Sequence, residues 1–215
     1  MKTNGRYDVA GLVEAQYEAG SEGKVLRNLL KITDPDDMDS VEADALAEAT
    51  NTLIRCIDQD HQFLAADICH FHKIWLGKVY EWAGRYRQVN ISKGNFPFAM
   101  AAQVAKLMEQ FEHEQLKRYT PCIFEKTEEV VQAIAEVHVE LVLIHPFREG
   151  NGRIARLLST LMALQAGFPL LDFSGISEQR NKYFLAVQAG MELNYKPMEQ
   201  LFSEIIRNSV SASAG

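Results

Sequence analysis

The chain has 215 residues, 47% hydrophobic and 24% charged, the proportions of one soluble globular domain and not of a collagen-like, disordered or disulfide-stapled chain. Twenty-two Lys and Arg against 29 Asp and Glu leave a formal net charge of −7. That excludes a general nucleic-acid binder, which needs surplus cations, but not one basic pocket for a single anion. Three cysteines with no CxxC spacing speak against a disulfide framework or a zinc ribbon and fit reduced thiols. The first residues lack the apolar run of a signal peptide, and no uncharged stretch is long enough to span a bilayer. A cytoplasmic protein without membrane contact is expected.

Residues 1–38 read as a lead-in of uncertain structure, with an acidic turn from Thr33 to Asp37. Asp39 or Ser40 is the expected cap of a helix that runs to about Asp58, its apolar face carrying Val41, Leu46, Ala49, Leu53, Ile54 and Ile57. A second helix is expected over Ala65–Trp82, where Ile68, Phe71, Ile74, Trp75, Val79 and Trp82 fall at helical spacing, with Gly84 behind it. Arg87 to Ser92 alternates polar and apolar residues, Lys93-Gly94-Asn95 supplies turn chemistry, and Phe96-Pro97-Phe98 follows, which predicts one hairpin. Further helices are expected over Ala99–Arg118, Thr127–Ile144, Gly150–Ala166, Ser177–Gly190 and Pro197–Asn208. Residues 209–215 are small and polar, a tail expected to fray. The fold class is therefore mostly α: one domain over residues 39–208, a helical bundle with one short β-hairpin near residues 87–98.

Chemistry concentrates in His145-Pro-Phe147-Arg-Glu149-Gly150-Asn151-Gly152-Arg153-Ile-Ala-Arg156. An apolar helix ends at His145, because Pro146 disfavours helix at the residue before it. A second apolar helix starts after the two glycines, which permit positive φ and close backbone approach to a ligand. The new helix offers N–H groups and a favourable dipole to an anion. Arg153 and Arg156 share a face in its first turns, an unfavourable place for cations unless a phosphate chain lies there. Glu149 is a hard oxygen donor suited to Mg²⁺, and His145 a base that titrates near neutrality. Singly, each feature is ordinary: a helix-end His, a tight turn, a solvated face. Jointly they make an anion cradle, a metal ligand, a cation clamp and a base. No paired Ser or Cys nucleophile is evident, so the hydroxyl of a second substrate is the expected acceptor.

The segment resembles the motif of Fic-domain proteins of the Fic/Doc superfamily, His-x-Phe-x-Asp/Glu-Gly-Asn-Gly-Arg-x-x-Arg, and all eight specified positions match. The helical context and the upstream hairpin extend the resemblance to roughly residues 40–207. It implies a Fic-type bundle and an enzyme, a protein adenylyltransferase that moves AMP from ATP to a Ser, Thr or Tyr hydroxyl of a target protein and releases pyrophosphate. It also implies the roles. His145 would be the catalytic base, Phe147 the inward anchor of the loop, and Glu149 the Mg²⁺ ligand. Gly150, Asn151, Gly152, Arg153 and Arg156 would bind the nucleotide, with Tyr183 near the adenine. The hairpin would be a flap that docks the target through Lys93, Gly94 and Asn95 by strand addition.

Relatives of this kind are held off by a helix of pattern Ser/Thr-x-x-x-Glu-Gly/Asn. Ser174 to Gln179 has its Ser and Glu178 but ends in Gln, and Ser174 or Ser177 reads better as a helix cap. Thr33 to Asp37 has Asp in place of Glu. Either a separate inhibitory antitoxin supplies a blocking Glu, or control is of another kind. Alternatives are a Fic-type transferase of another nucleotide, phosphate or phosphocholine, a deAMPylase, or a toxin-like or non-catalytic nucleotide-binding module. His138 lies about 10 Å before His145 by helical rise, too far to share a metal, and His70 and His72 diverge on their helix.

Overall fold

A computed structural model describes residues 11–176 and 179–213. Ser177 and Glu178, named above as a cap and as the acid of the inhibitor-like stretch, lie outside the described residues. Residues 11–33 hold a short 3₁₀ turn at Val13–Ala15, a β-bridge between Tyr17 and Leu26, and a buried Glu14.

The first long helix, α1 (Pro35–Cys56), starts earlier than the sequence reading placed it. The Asp34 carboxylate accepts the N–H groups of Asp36 and Asp37, and Pro35 occupies the first helical position. The acidic turn is thus the first turn of the helix, where a capping Asp, a Pro and further acids are all favoured. Its buried face presents Met38, Glu42, Ala49 and Leu53. Helix α2 (Ala65–Leu76) ends at Gly77, short of the expected Trp82. Beyond it the chain turns so that the Val79 carbonyl accepts the Leu29 N–H, which ties the lead-in to the body. Val79, Tyr80 and Trp82 are nevertheless buried.

The hairpin is small. Strands β1 (Ser92–Lys93) and β2 (Phe96–Pro97) pair antiparallel, Ser92 with Pro97 and Lys93 with Phe96, around Gly94 at φ +59°. The alternation from Arg87 to Ile91 does not extend the ladder, because Arg87 and Val89 are buried in irregular backbone. The single helix expected over Ala99–Arg118 is broken into α3 (Val104–Phe111), a π turn at Glu112–Leu116 and a final turn, α4 (Lys117–Tyr119). From that π turn the Glu112 carboxylate reaches the Ala65 N–H at 2.8 Å and caps α2.

Helix α5 (Thr127–Ile144) is the spine, with Ala133, Ile134, Ala135, Val137 and Val139 fully buried. Against it pack α3, α6 (Asn151–Gln165), α7 (Arg180–Ala189) and α8 (Lys196–Ser213). Helix α8 continues past Ser209, where fraying was expected, because the Ser209 hydroxyl is buried, donating to the Ile205 carbonyl and accepting the Asp172 N–H. Among the described residues no helix is long and apolar enough to cross a membrane.

Candidate functional site at the α5–α6 corner

The corner between α5 and α6 is held in a conformation that local propensity alone would not choose. His145, the C-cap of α5, is left-handed at φ 53° and ψ 60°, and Gly150, the N-cap of α6, is left-handed at φ 82°. A Cβ on Gly150 would meet the Trp75 ring at 2.6 Å, so this glycine serves both the turn and the packing. Between the two caps, Phe147 is fully buried and stacks on the His72 ring at 3.9 Å. Burial of a side chain of this size contributes about 1.5–3 kcal/mol. The Asn151 side chain closes the loop, accepting the Phe147 N–H and donating to the Phe147 carbonyl, both at 2.8 Å.

The hydrogen bonds assign histidine tautomers. His145 Nδ1 lies 3.0 Å from the Val142 carbonyl, which can only accept, so Nδ1 carries the proton and Nε2 keeps a lone pair. Burial, outweighing that hydrogen bond and joined by the charges of Arg87 and Lys93, lowers the His145 pKa to about 4, below the near-neutral titration expected from sequence. The Phe98 ring stacks on it with centroids 3.6 Å apart. His72 Nδ1 accepts the Gly84 N–H, so its Nε2–H donates to the Glu149 carbonyl at 3.1 Å, and burial lowers its pKa to about 4. The Ser159 hydroxyl donates to the Ala155 carbonyl and therefore accepts His138 Nδ1–H. His138 Nε2 then accepts the Tyr183 O–H at 2.7 Å. Full burial takes the His138 pKa down to about 3, and burial raises that of Tyr183 to about 12.

The N-terminus of α6 is open to a ligand. No side chain caps it, and a Cβ on Gly152 would meet nothing within 4 Å. Glu149 Oε1 accepts the Gly150 N–H at 2.8 Å and faces Arg153 at 3.4 Å, while its side chain stays 45% exposed. Arg153 is anchored from behind by the buried Glu42 carboxylate at 2.6 Å and lies over the Trp75 ring. Glu42 also accepts the Tyr80 O–H at 2.6 Å. Arg156 has no ion pair or guanidinium hydrogen bond among the described residues, and burial lowers its pKa while Tyr183 faces it. A desolvated cation without a counter-charge is costly, and an anionic ligand would satisfy it. Glu149 fits a single hard-oxygen ligand for Mg²⁺. Among the described residues no group of three or more His, Cys, Asp or Glu could hold a metal by itself, so phosphate oxygens would have to share it.

The structure thus gathers His145, Phe147, Glu149, Gly150, Asn151, Gly152, Arg153 and Arg156 at one corner. Lys93 is close enough to act on the His145 charge and lies over the Phe184 ring. Gly94 and Asn95 form the exposed hairpin tip. Tyr183 reaches the corner through Arg156 and His138. The Asn151 side chain is buried as the lock of the loop, so any part it has in holding a nucleotide falls to its backbone N–H. His70 is exposed and His72 buried. Sequence reasoning missed Glu42, Arg87 and the role of His72. A signal existed for two of them: an acid on the apolar face of α1, and an arginine in phase with Val89 and Ile91.

Residues 62–163 match the Fic/DOC family model. Protein adenylyltransferase VbhT of Bartonella schoenbuchensis is 31% identical over 187 residues, which is 87% of this chain and 37% of that protein. The probable protein adenylyltransferase Fic of Escherichia coli is 27% identical over 139 residues, 63% of this chain and 66% of that protein. The chain therefore spans less than two thirds of either relative. Among solved structures, the BepC effector of Bartonella tribocorum with bound AMPPNP superposes with a TM-score of 0.72 at 25% identity, covering 91% of this chain and 97% of that one. An N-terminal Fic domain from Bartonella quintana with bound ADP gives a TM-score of 0.68 at 27% identity, covering 84% and 89%. Residues 62–163 are thus a Fic/DOC family domain.

Proposed function

We propose that this chain is a protein adenylyltransferase that moves AMP from ATP to a Ser, Thr or Tyr hydroxyl of a target protein. The observation that carries the reading is the uncapped α6 N-terminus with, among the described residues, an Arg156 that has no ion pair on one side and a free Nε2 of His145 on the other. The names of the relatives, and the AMPPNP and ADP in neighbouring structures, support the same reading.

In this mechanism the backbone N–H groups of Asn151, Gly152 and Arg153 receive phosphate oxygens, and Arg156 takes the far end of the chain. Arg153, fixed by Glu42, supplies charge without having to reorganise. Glu149 would hold Mg²⁺ against the phosphates, where the ion neutralises their charge. The flap lays the target segment along Lys93, Gly94 and Asn95, and Tyr183 borders the base. His145 Nε2 removes the hydroxyl proton as the oxygen bonds to the α-phosphorus, and the bond to the β-phosphate oxygen breaks to release pyrophosphate. Such transfers depend on alignment and charge more than on covalent catalysis. A separate antitoxin-like chain is the proposed source of any blocking acid.

Incubation with ATP labelled at the α- or the γ-phosphate tests the reading. Protein label from the α position alone is the expected result. Label from γ alone would make the chain a kinase, and no label from either would leave a binding module.

A further inference from the structure

Arg87 is fully buried and makes no direct ion pair among the described residues, although the buried Glu14 carboxylate lies close enough to favour its charge. Its acceptors are backbone carbonyls from separate segments. Nε donates to His145 at 2.6 Å, Nη1 to Val89 at 2.7 Å, and Nη2 to Ala99 and to Ile144. Its own N–H donates to Pro146 at 2.9 Å. Ile144 and His145 are helix-end carbonyls that α5 cannot satisfy, and a cation there also meets the negative end of the dipole. Val89 and Ala99 are different in kind: they stand on the two legs of the flap, one before β1 and one after β2. The Phe98 ring that stacks on His145 belongs to the residue next to Ala99.

A buried arginine is an expensive way to fill space, since apolar residues of similar volume pack at less cost. What it supplies is a rigid planar fork that can hold several acceptors at fixed relative positions, which a lysine ammonium cannot do. We infer that Arg87 is a positioning residue that ties both legs of the flap to the His145 backbone and so fixes how far a hydroxyl docked on the flap stands from Nε2. The inference rests on the adenylyltransferase reading for its consequence in catalysis, but the coupling itself is a property of the fold. One guanidinium holds His145 in its left-handed conformation and sets the flap's register, so base and acceptor move together or not at all.

The test uses the full chain, wild type against Arg87→Lys and Arg87→Met, with amide hydrogen exchange, nucleotide titration and AMP transfer. Arg87→Lys keeps the charge and loses the fork. Exchange over residues 88–99 and 143–147 should quicken about tenfold or more, while α6 stays protected and affinity for a non-hydrolysable ATP analogue holds within about twofold. On a transferable target, kcat should fall about 10–100-fold with KM for ATP unchanged, the effect of misplaced reacting groups. Flap exchange in Arg87→Lys equal to wild type overturns the inference. Loss of α6 protection together with the flap overturns it too, because that marks a core role only. Should Arg87→Met not fold, the lysine variant decides. A wild-type chain that transfers no AMP would sink the adenylyltransferase reading while leaving the exchange comparison to judge the coupling.

Discussion

The α5–α6 corner and the flap meet at His145 but are built on opposite terms. In the corner most polar groups are committed: Asn151 to Phe147, His72 to Glu149, Arg153 to Glu42, and Arg148 to the Glu14 carbonyl. The flap is two residues against two, with Ser92, Lys93, Gly94 and Asn95 exposed. A two-stranded hairpin of that size has little stability of its own. On the proposed adenylyltransferase reading, the difference is that between a part preorganised for chemistry and a part left free to accept a partner's backbone.

That contrast can be broken or sharpened by experiment. The largest effect is expected from His145→Ala. Transfer should fall at least about a thousandfold, near 4 kcal/mol of barrier, while calorimetry shows nucleotide affinity within about twofold. A variant that still transfers at the wild-type rate would remove His145 from the chemistry.

Acid comes next. His72 and His138 have folded pKa values of about 4 and about 3, below the ordinary value of 6.5. Below pH 6.5 the unfolded chain therefore binds protons that the folded chain refuses. Stability should be full above that pH and decline as pH falls toward the folded values, by about 2 kcal/mol per histidine at pH 5. Thermal melts at pH 7.5 and 5.0 check this, and an unchanged Tm would mean that the corner does not depend on neutral imidazoles.

The two glycines separate packing from binding. Gly150→Ala forces a side chain into positive φ and against Trp75, and should cost about 2 kcal/mol in urea melts. Gly152→Ala meets open space within a helix, so stability should stay within about 0.5 kcal/mol while nucleotide affinity drops about tenfold. Equal destabilisation by both would argue that Gly152 is structural. The smallest effect belongs to the flap. Lys93→Ala should raise the KM for the target less than tenfold, under about 1.4 kcal/mol, with nucleotide affinity unchanged.

How much of this was legible before the structure follows from the range of each interaction. The corner could be read because its parts are contiguous: His145 to Arg156 is one loop and two helix ends. Helix α5 matched its expected bounds, since a long apolar period with acids at its start has few alternatives. Helix α1 was misjudged at its start because Asp34-Pro35 resembles a turn as much as a cap. Glu42 and Arg87 leave a local trace of burial, but their partners lie 111 and 58 positions away, at Arg153 and His145, and no local pattern names those partners. The expected strand at Arg87 shrank because the alternation there comes from burial of Arg87 and Val89, not from a ladder.

The ion pair between Glu42 and Arg153 bears on where this module can be cut. The stretch shared with the family begins at residue 62, yet the carboxylate that holds its first motif arginine sits on α1, which starts at Pro35. An excised 62–163 fragment would leave Arg153 beside Glu149 with no rear anchor. It would also leave the Trp75 indole N–H without the Glu42 carbonyl it donates to. Any transplant, minimal crystallisation fragment or chimera of this domain should therefore carry the helix from Asp34 onward, as part of the site and not as packaging.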